Sequence, residues 1–355
     1  MKRLALLVAV ALTVSLRAAA QLPTPLPEIA ADAARNDRYP AHNATFPNGV
    51  TSIADLQYWD PVGYRPLSLD LYLPPASVHP PATGFPLVIQ IHGGAFRGGD
   101  KRLILPFVDW PGVLASLAAR GYVVASINYR LSGEARFPAQ AQDVKAAVRW
   151  LRLSAVKYVI DPDRAVTWGQ SAGGHLASLA AVSCGAAALS PTRTAPASGP
   201  LDVTVATVSD CVQGAVAWFG LFDMATIQEQ AQEVNALSRD DADAPEWRLL
   251  GCFAASCPPP QITAASPVSY VDGNDPPMLL IVGSDDTLIP TKQTIEMAER
   301  LTAAGVKHDL IVLPGINHSF IGRTAEATRD ANLKALAATF EFIDRTIGNR
   351  STTPR

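Results

Sequence analysis

Ser171 stands between Gly169 and Gly173 in the stretch Trp168-Gly169-Gln170-Ser171-Ala172-Gly173-Gly174, directly after the short run Arg164-Ala165-Val166-Thr167-Trp168. A serine held at a sharp strand-to-helix turn needs small residues two positions away on either side, and glycine meets that demand. Its hydroxyl is a weak nucleophile at neutral pH, so it requires a base within hydrogen-bond reach and an acid to orient that base. Candidates follow two later apolar runs. Leu279-Leu280-Ile281-Val282 leads into Gly283-Ser284-Asp285-Asp286, and Asp309-Leu310-Ile311-Val312-Leu313 leads into Pro314-Gly315-Ile316-Asn317-His318. Asp286 lies 115 residues after Ser171, and His318 a further 32 beyond it. Asp285 and Asp286 compete for the acid's role, because a turn after a strand also favours Asp for its own backbone hydrogen bonds. We favour Asp286.

Attack on a carbonyl creates an oxyanion, which needs N–H donors aimed at one point. His92-Gly93-Gly94-Ala95-Phe96 follows another apolar run, and its glycines let the backbone turn so that successive N–H groups converge. The expected donors are Gly94 and Ala95, joined by Ala172 at the head of the helix after Ser171. A Gly-Gly turn can sit in any loop, and a lone histidine is more often a core or capping residue. Placement behind strands, in a Ser-Asp-His order, decides for chemistry in both cases. His92 falls outside that order and reads as a brace for its loop.

These residues can meet only if the runs before them are neighbouring strands with aligned carboxyl ends. Pro86–His92 and Gly121–Ile127 are nearly continuous apolar runs, as expected of buried parallel strands. Leu67–Leu73 alternates apolar and polar residues, which suggests an antiparallel edge. Val212–Phe219, Met278–Val282 and His308–Leu313 continue the series. Helical patterns fall at Gly112–Arg120, Ala139–Leu153, Ala172–Ser183, Thr291–Ala304 and Ala325–Ile347. The alternation predicts an α/β fold with a mostly parallel central sheet and helices on both faces. Residues 21–50 read as an extended N-terminal arm and 51–348 as one domain. Within it, residues 221–271 are polar, partly helical and rich in proline after Cys257, as a small lid-like, substrate-binding insertion would be.

The first twenty residues form a separate unit. Lys2 and Arg3 precede an apolar stretch, Leu4 to Leu16, and Ala18-Ala19-Ala20 offers a cleavage site, the pattern of a secretory signal peptide. A membrane anchor is the rival reading, but about 13 apolar residues fall short of the roughly 20 that span a bilayer. Its removal leaves 26 basic against 32 acidic residues, a balance of −6 that argues against nucleic acid or anionic lipid as partner. Export, secreted or periplasmic, would place Cys184, Cys211, Cys252 and Cys257 where disulfides persist. Cys252 and Cys257 bracket a short loop, so the simplest pairing is Cys252–Cys257 with Cys184–Cys211. A zinc site fits poorly, since no Cys-x-x-Cys spacing occurs and the six histidines are scattered. Sequons at Asn43, Asn317 and Asn349 are treated as chance matches.

Together, His92-Gly93-Gly94-Ala95-Phe96, Asn128-Tyr129-Arg130-Leu131, Gly169–Ala177, Asp286-Thr287-Leu288-Ile289-Pro290 and His318 resemble the α/β-hydrolase carboxylesterases related to hormone-sensitive lipase. Trp218-Phe219-Gly220 followed by Asp223, with Ala265-Ser266-Pro267-Val268, most resembles the esterases grouped around bimodular feruloyl esterases. In that family the aspartate before Thr-Leu-hydrophobic-Pro is the triad acid, which supports Asp286. One departure is Ala95, where many relatives carry Gly. The resemblance implies hydrolysis of an ester, small or polysaccharide-linked, through an acyl-enzyme and without metal or organic cofactor. Feruloyl or acetyl esters of plant polysaccharide, or other aryl esters, are the implied substrates. Phe96, Trp218 and Phe222 are candidates to line the pocket. A lipase, a prolyl-oligopeptidase-like peptidase and a non-catalytic binding protein on the same fold are the alternatives. Residues 21–50 are too few for the peptidase's propeller, and a binding protein has no need of an intact Ser, Asp and His.

Overall fold

The computed structural model describes residues 43–191, 207–234, 239, 243–253 and 256–348. The proposed signal peptide, most of the arm and the sequon at Asn349 lie outside them. Nine strands form one sheet: β1 (Asn43–Thr45), β2 (Thr51–Trp59), β3 (Leu67–Leu73), β4 (Phe85–Ile91), β5 (Val123–Ile127), β6 (Ile160–Gln170), β7 (Gly214–Trp218), β8 (Met278–Gly283) and β9 (His308–Leu313). Their order is β1-β2-β3-β5-β4-β6-β7-β8-β9. The first three strands are antiparallel to their neighbours, and every pairing from β5 onward is parallel.

The antiparallel edge therefore exists, but β3 is not its last strand. β2 pairs along the outer edge of β3, and β3 is largely buried. The sequence hides β2 because its register with β3 shifts between Ile53 and Leu56, and Asp55 takes a φ of +56° there. A bulge of this kind breaks the two-residue period on which strand recognition rests.

The helices are α1 (Trp110–Ala118), α2 (Ala139–Leu153), α3 (Ala155–Tyr158), α4 (Ala172–Val182), α5 (Ile227–Glu233), α6 (Pro245–Leu250), α7 (Pro259–Ala265), α8 (Thr291–Ala303) and α9 (Ala325–Ile347). Successive strand residues face opposite sides, so the sheet splits its apolar surface between two cores. Leu87, Ile89, Ala215 and Leu280 pack with α2, α4 and α8; Val88, Val216, Leu279 and Ile281 pack with α1 and α9. The described part of the 221–271 insertion joins the first core through Leu221, Met224, Ile227, Trp247 and Leu250. Cys184–Cys211 and Cys252–Cys257 are both bonded.

Candidate active site

The parallel strands all run one way, so their carboxyl ends deliver the loops carrying His92–Phe96, Ser171, Phe219, Asp286 and His318 to one edge of the sheet. Ser171 sits between β6 and α4 with φ +54° and ψ −120°. The flanking glycines are required by contact distance. A Cβ on Gly169 would lie 2.1 Å from the Gly173 carbonyl oxygen, and one on Gly173 would lie 2.0 Å from that of Ile91. The Ser171 N–H donates to the Trp218 carbonyl at 2.8 Å, which pins the turn to the end of β7.

His318 Nε2 lies 3.1 Å from Ser171 Oγ, and His318 Nδ1 lies 2.8 Å from Asp286 Oδ2. The other carboxylate oxygen of Asp286 accepts the N–H groups of Leu288 and Ile289 at 2.9 and 2.8 Å. Asp286 is buried, whereas Asp285 is exposed, accepts from the Ser284 hydroxyl and faces Arg323. Of the two adjacent acids, then, only Asp286 meets the histidine.

In the loop after β4, Gly94 has φ +111°, and a Cβ there would lie 2.2 Å from the Gly98 carbonyl oxygen. Ala95 and Phe96 follow in the left-handed region at +55° and +57°. Such a conformation costs an L-residue roughly 1–2 kcal/mol, so the surroundings must hold the loop. The Ser132 N–H donates to the Phe96 carbonyl at 2.7 Å, and Arg97 Nη1 donates to the Asp243 carbonyl at 3.2 Å. The N–H groups of Gly94, Ala95 and Ala172 donate to no acceptor among the described residues, which leaves all three available. His92 acts as the expected brace. Its ring stacks on Tyr129 at 4.4 Å and Nδ1 meets the Gly93 carbonyl at 2.7 Å, while Tyr129 Oη donates to the His92 carbonyl.

The aromatic candidates end up elsewhere. Trp218 points to the α9 face, donates to Thr339 Oγ1 at 2.9 Å and packs against Trp110, Trp168 and Phe320. Phe96 and Phe222 are buried in the opposite core, Phe96 edge-on to His175. All three side chains are buried. The aromatic residue at the site is Phe219, one position after Trp218, whose ring meets that of His318 edge-on at 4.6 Å. Its φ of +38° reverses the strand alternation that otherwise sets side-chain direction.

Two further residues escaped the sequence reading. Asn317 Oδ1 accepts the N–H of His318 at 2.6 Å and that of Thr287 at 3.1 Å, so one amide ties the histidine loop to the aspartate loop. Arg239, buried beside Glu246 in the insertion, donates to the Leu288 carbonyl next to the backbone cage of Asp286. Proximity to His318 in sequence was a signal for Asn317; nothing local pointed to Arg239. Asn317→Ala should lower kcat about 10- to 100-fold through a displaced imidazole, with KM much less affected. Steady-state kinetics on a soluble ester would check this, and a change confined to KM would refute it.

His92 and His175 are fully buried, and desolvation pulls both imidazoles down to about 4. His175 Nδ1 donates to the Leu221 carbonyl at 2.9 Å, and its Nε2 is unpaired, as suits a neutral ring. Below pH ~6.5 the unfolded chain takes up protons that these native rings refuse. Stability is therefore complete above that pH and declines as the pH falls towards about 4, by about 3 kcal/mol per imidazole. His175→Asn, which keeps a donor near Nδ1 but cannot protonate, should make the fall of the melting temperature from pH 6.5 to 4 shallower. Equal slopes in variant and wild type would contradict this account. Among the described residues, no group of His, Cys, Asp or Glu is arranged to hold a metal, and no helix is long and apolar enough to cross a membrane.

The BD-FAE family profile matches residues 69–301. Esterase LipC of Mycobacterium tuberculosis is 33% identical over 241 residues, 68% of this chain and 54% of its own. This chain thus spans about half of that relative's length. Ethyl acetate hydrolase of Pseudomonas putida is 28% identical over 276 residues, 76% of each chain. A solved structure described as a truncated form of carbohydrate esterase from gut microbiota superposes with a TM-score of 0.67 at 29% identity, over 86% of this chain and 99% of that one. A family profile that takes in most of the sheet, on a sheet order that brings Ser171, Asp286 and His318 together, establishes that the chain belongs to the BD-FAE family of α/β-hydrolases.

Proposed function

We propose that the chain is an exported serine hydrolase of carboxylic esters. The observation that carries this reading is the continuous path from Asp286 through His318 to Ser171 Oγ, with contacts of 2.8 and 3.1 Å. His318 Nε2 takes the hydroxyl proton as Oγ bonds to the acyl carbon. The N–H groups of Gly94, Ala95 and Ala172 receive the negative oxygen. His318 then returns the proton to the departing alcohol oxygen, leaving an acyl-serine. Water attacks that ester with His318 again as base, and the acid leaves as Ser171 regains its proton. Asp286 holds the imidazole with Nε2 facing the serine and stabilises its positive charge.

Export is supported by the basic-then-apolar first twenty residues and by two disulfides. The likeness to a carbohydrate esterase at 29% identity favours acyl groups carried on sugars, acetyl or feruloyl. A fluorophosphonate probe should give one covalent adduct per chain, on Ser171, with parallel loss of esterase activity. Adduct formation elsewhere, or undiminished turnover after labelling, would overturn the assignment. Acetylated xylan, methyl ferulate, aryl acetates and a terephthalate ester compared side by side would order the substrates.

A further inference from the structure

A cleft of about 840 Å³ opens between the loop 132–136 and the turn after α6, lined by Tyr64, Ser132, Glu134, Arg136, Trp247 and Phe253 among others. It abuts the oxyanion loop. Its wall residue Ser132 donates to the Phe96 carbonyl, and its wall residue Asp243 accepts from Arg97. Phe96 and Arg97 directly follow Ala95, so the cleft wall is bonded to the oxyanion loop within two residues of it.

Among the described residues, the cleft lining carries Glu134 and Asp243 against Arg136 and Arg248, and both acids already have a cationic partner. Glu134 is held by Arg65 through two contacts of 2.6 and 3.0 Å, and Asp243 is paired with Arg248 at 3.1 Å. Arg136 has neither an ion pair nor a side-chain hydrogen bond among the described residues, and it is exposed to the cleft. It packs against the turn after α6. A Cβ on Gly251 would lie 2.2 Å from both Cδ and Nε of Arg136, so the side chain lies flat on a bare Cα. Gly251 caps α6 with φ +73°, a conformation that independently favours glycine. A guanidinium resting there, with no acid partner among the described residues, has its planar fork of N–H donors free to face a ligand.

We propose that this cleft is a substrate subsite for a carboxylate, with Arg136 as its specificity-determining residue. One guanidinium with no acid partner among the described residues suits a carboxylate, which carries a single negative charge, better than a phosphate, which carries nearly two. The inference rests on the ester-hydrolase reading and narrows it to esters with an acidic group on the part that does not react, such as an acidic sugar or an aryl carboxylate.

Two matched pairs of esters test the idea. In 4-acetoxybenzoate and its methyl ester the carboxylate is on the alcohol side; in monomethyl and dimethyl terephthalate it is on the acyl side. Wild type and Arg136→Gln are compared by the ratio of acidic to neutral kcat/KM, which cancels intrinsic ester reactivity. For the pair that reaches the subsite, the ratio should fall about 10-fold in the variant, through KM, and the wild-type advantage should shrink in high salt. Gly251→Ala, which displaces the guanidinium, should lower the ratio in the same direction. Ratios unchanged by Arg136→Gln in both pairs would overturn the subsite while leaving the hydrolase intact. Failure of wild type to turn over any of the four esters would end both readings.

Discussion

Ser171→Ala is expected to lower kcat for a soluble aryl ester by on the order of 10⁶-fold. The expectation follows from the geometry. No other hydroxyl lies at His318 Nε2 in the observed contacts, so the variant has no group to accept the acyl chain. The backbone at 171 is already in the left-handed region, and alanine bears about the same strain as serine. Folding should therefore be little changed, with a melting temperature within a few degrees of wild type. The double variant with His318→Ala should be no slower than the single, because serine and histidine act as one unit and losing either removes the attack. A Ser171→Ala enzyme retaining more than a thousandth of wild-type turnover would place the nucleophile elsewhere.

Gly173→Ala is expected to damage both stability and turnover. Its methyl would stand 2.0 Å from the Ile91 carbonyl oxygen and 2.6 Å from that of His92, which are backbone atoms at the end of β4 with little freedom to retreat. Relief requires α4 to move away from β4, at about 3 kcal/mol or more. That motion also separates Ala172 N–H from the Gly94 and Ala95 N–H groups, which belong to the two elements being forced apart. A displacement near 1 Å between catalytic groups costs about 100-fold in rate. The melting temperature should drop by roughly 6 °C or more. Gly98→Ala is the control: a Cβ there meets nothing within 4 Å and should leave both quantities near wild type. Equal behaviour of the two variants would remove close approach as the reason for glycine at 173.

The positions of Ser171, Asp286 and His318 were legible because each sits directly after an apolar run, and strand ends of a parallel sheet share an edge. The choice of Asp286 over Asp285 needed the family pattern, since both acids suit a turn, and the structure places Asp286 against the imidazole. The aromatic lining was less legible. Selecting Trp218 rather than Phe219 missed by one position: both rings lie in the same core, because the φ of +38° at Phe219 reverses the strand alternation and carries its ring to His318. β2 was concealed by its bulge. Arg239 and Arg136 could not have been found from local pattern, because their roles come from partners 49 and more than 100 residues away in sequence.

The elbow contact joins residues 147 positions apart, and it forms only after β6, β7, β8 and β9 have paired in parallel across three crossovers. Parallel pairings are non-local and form slowly, whereas helices can appear early. Regain of esterase turnover after dilution from denaturant should therefore lag behind regain of helical circular dichroism. Turnover then serves as a clock for completion of the sheet, and a sensitive report of how many chains in a preparation are native.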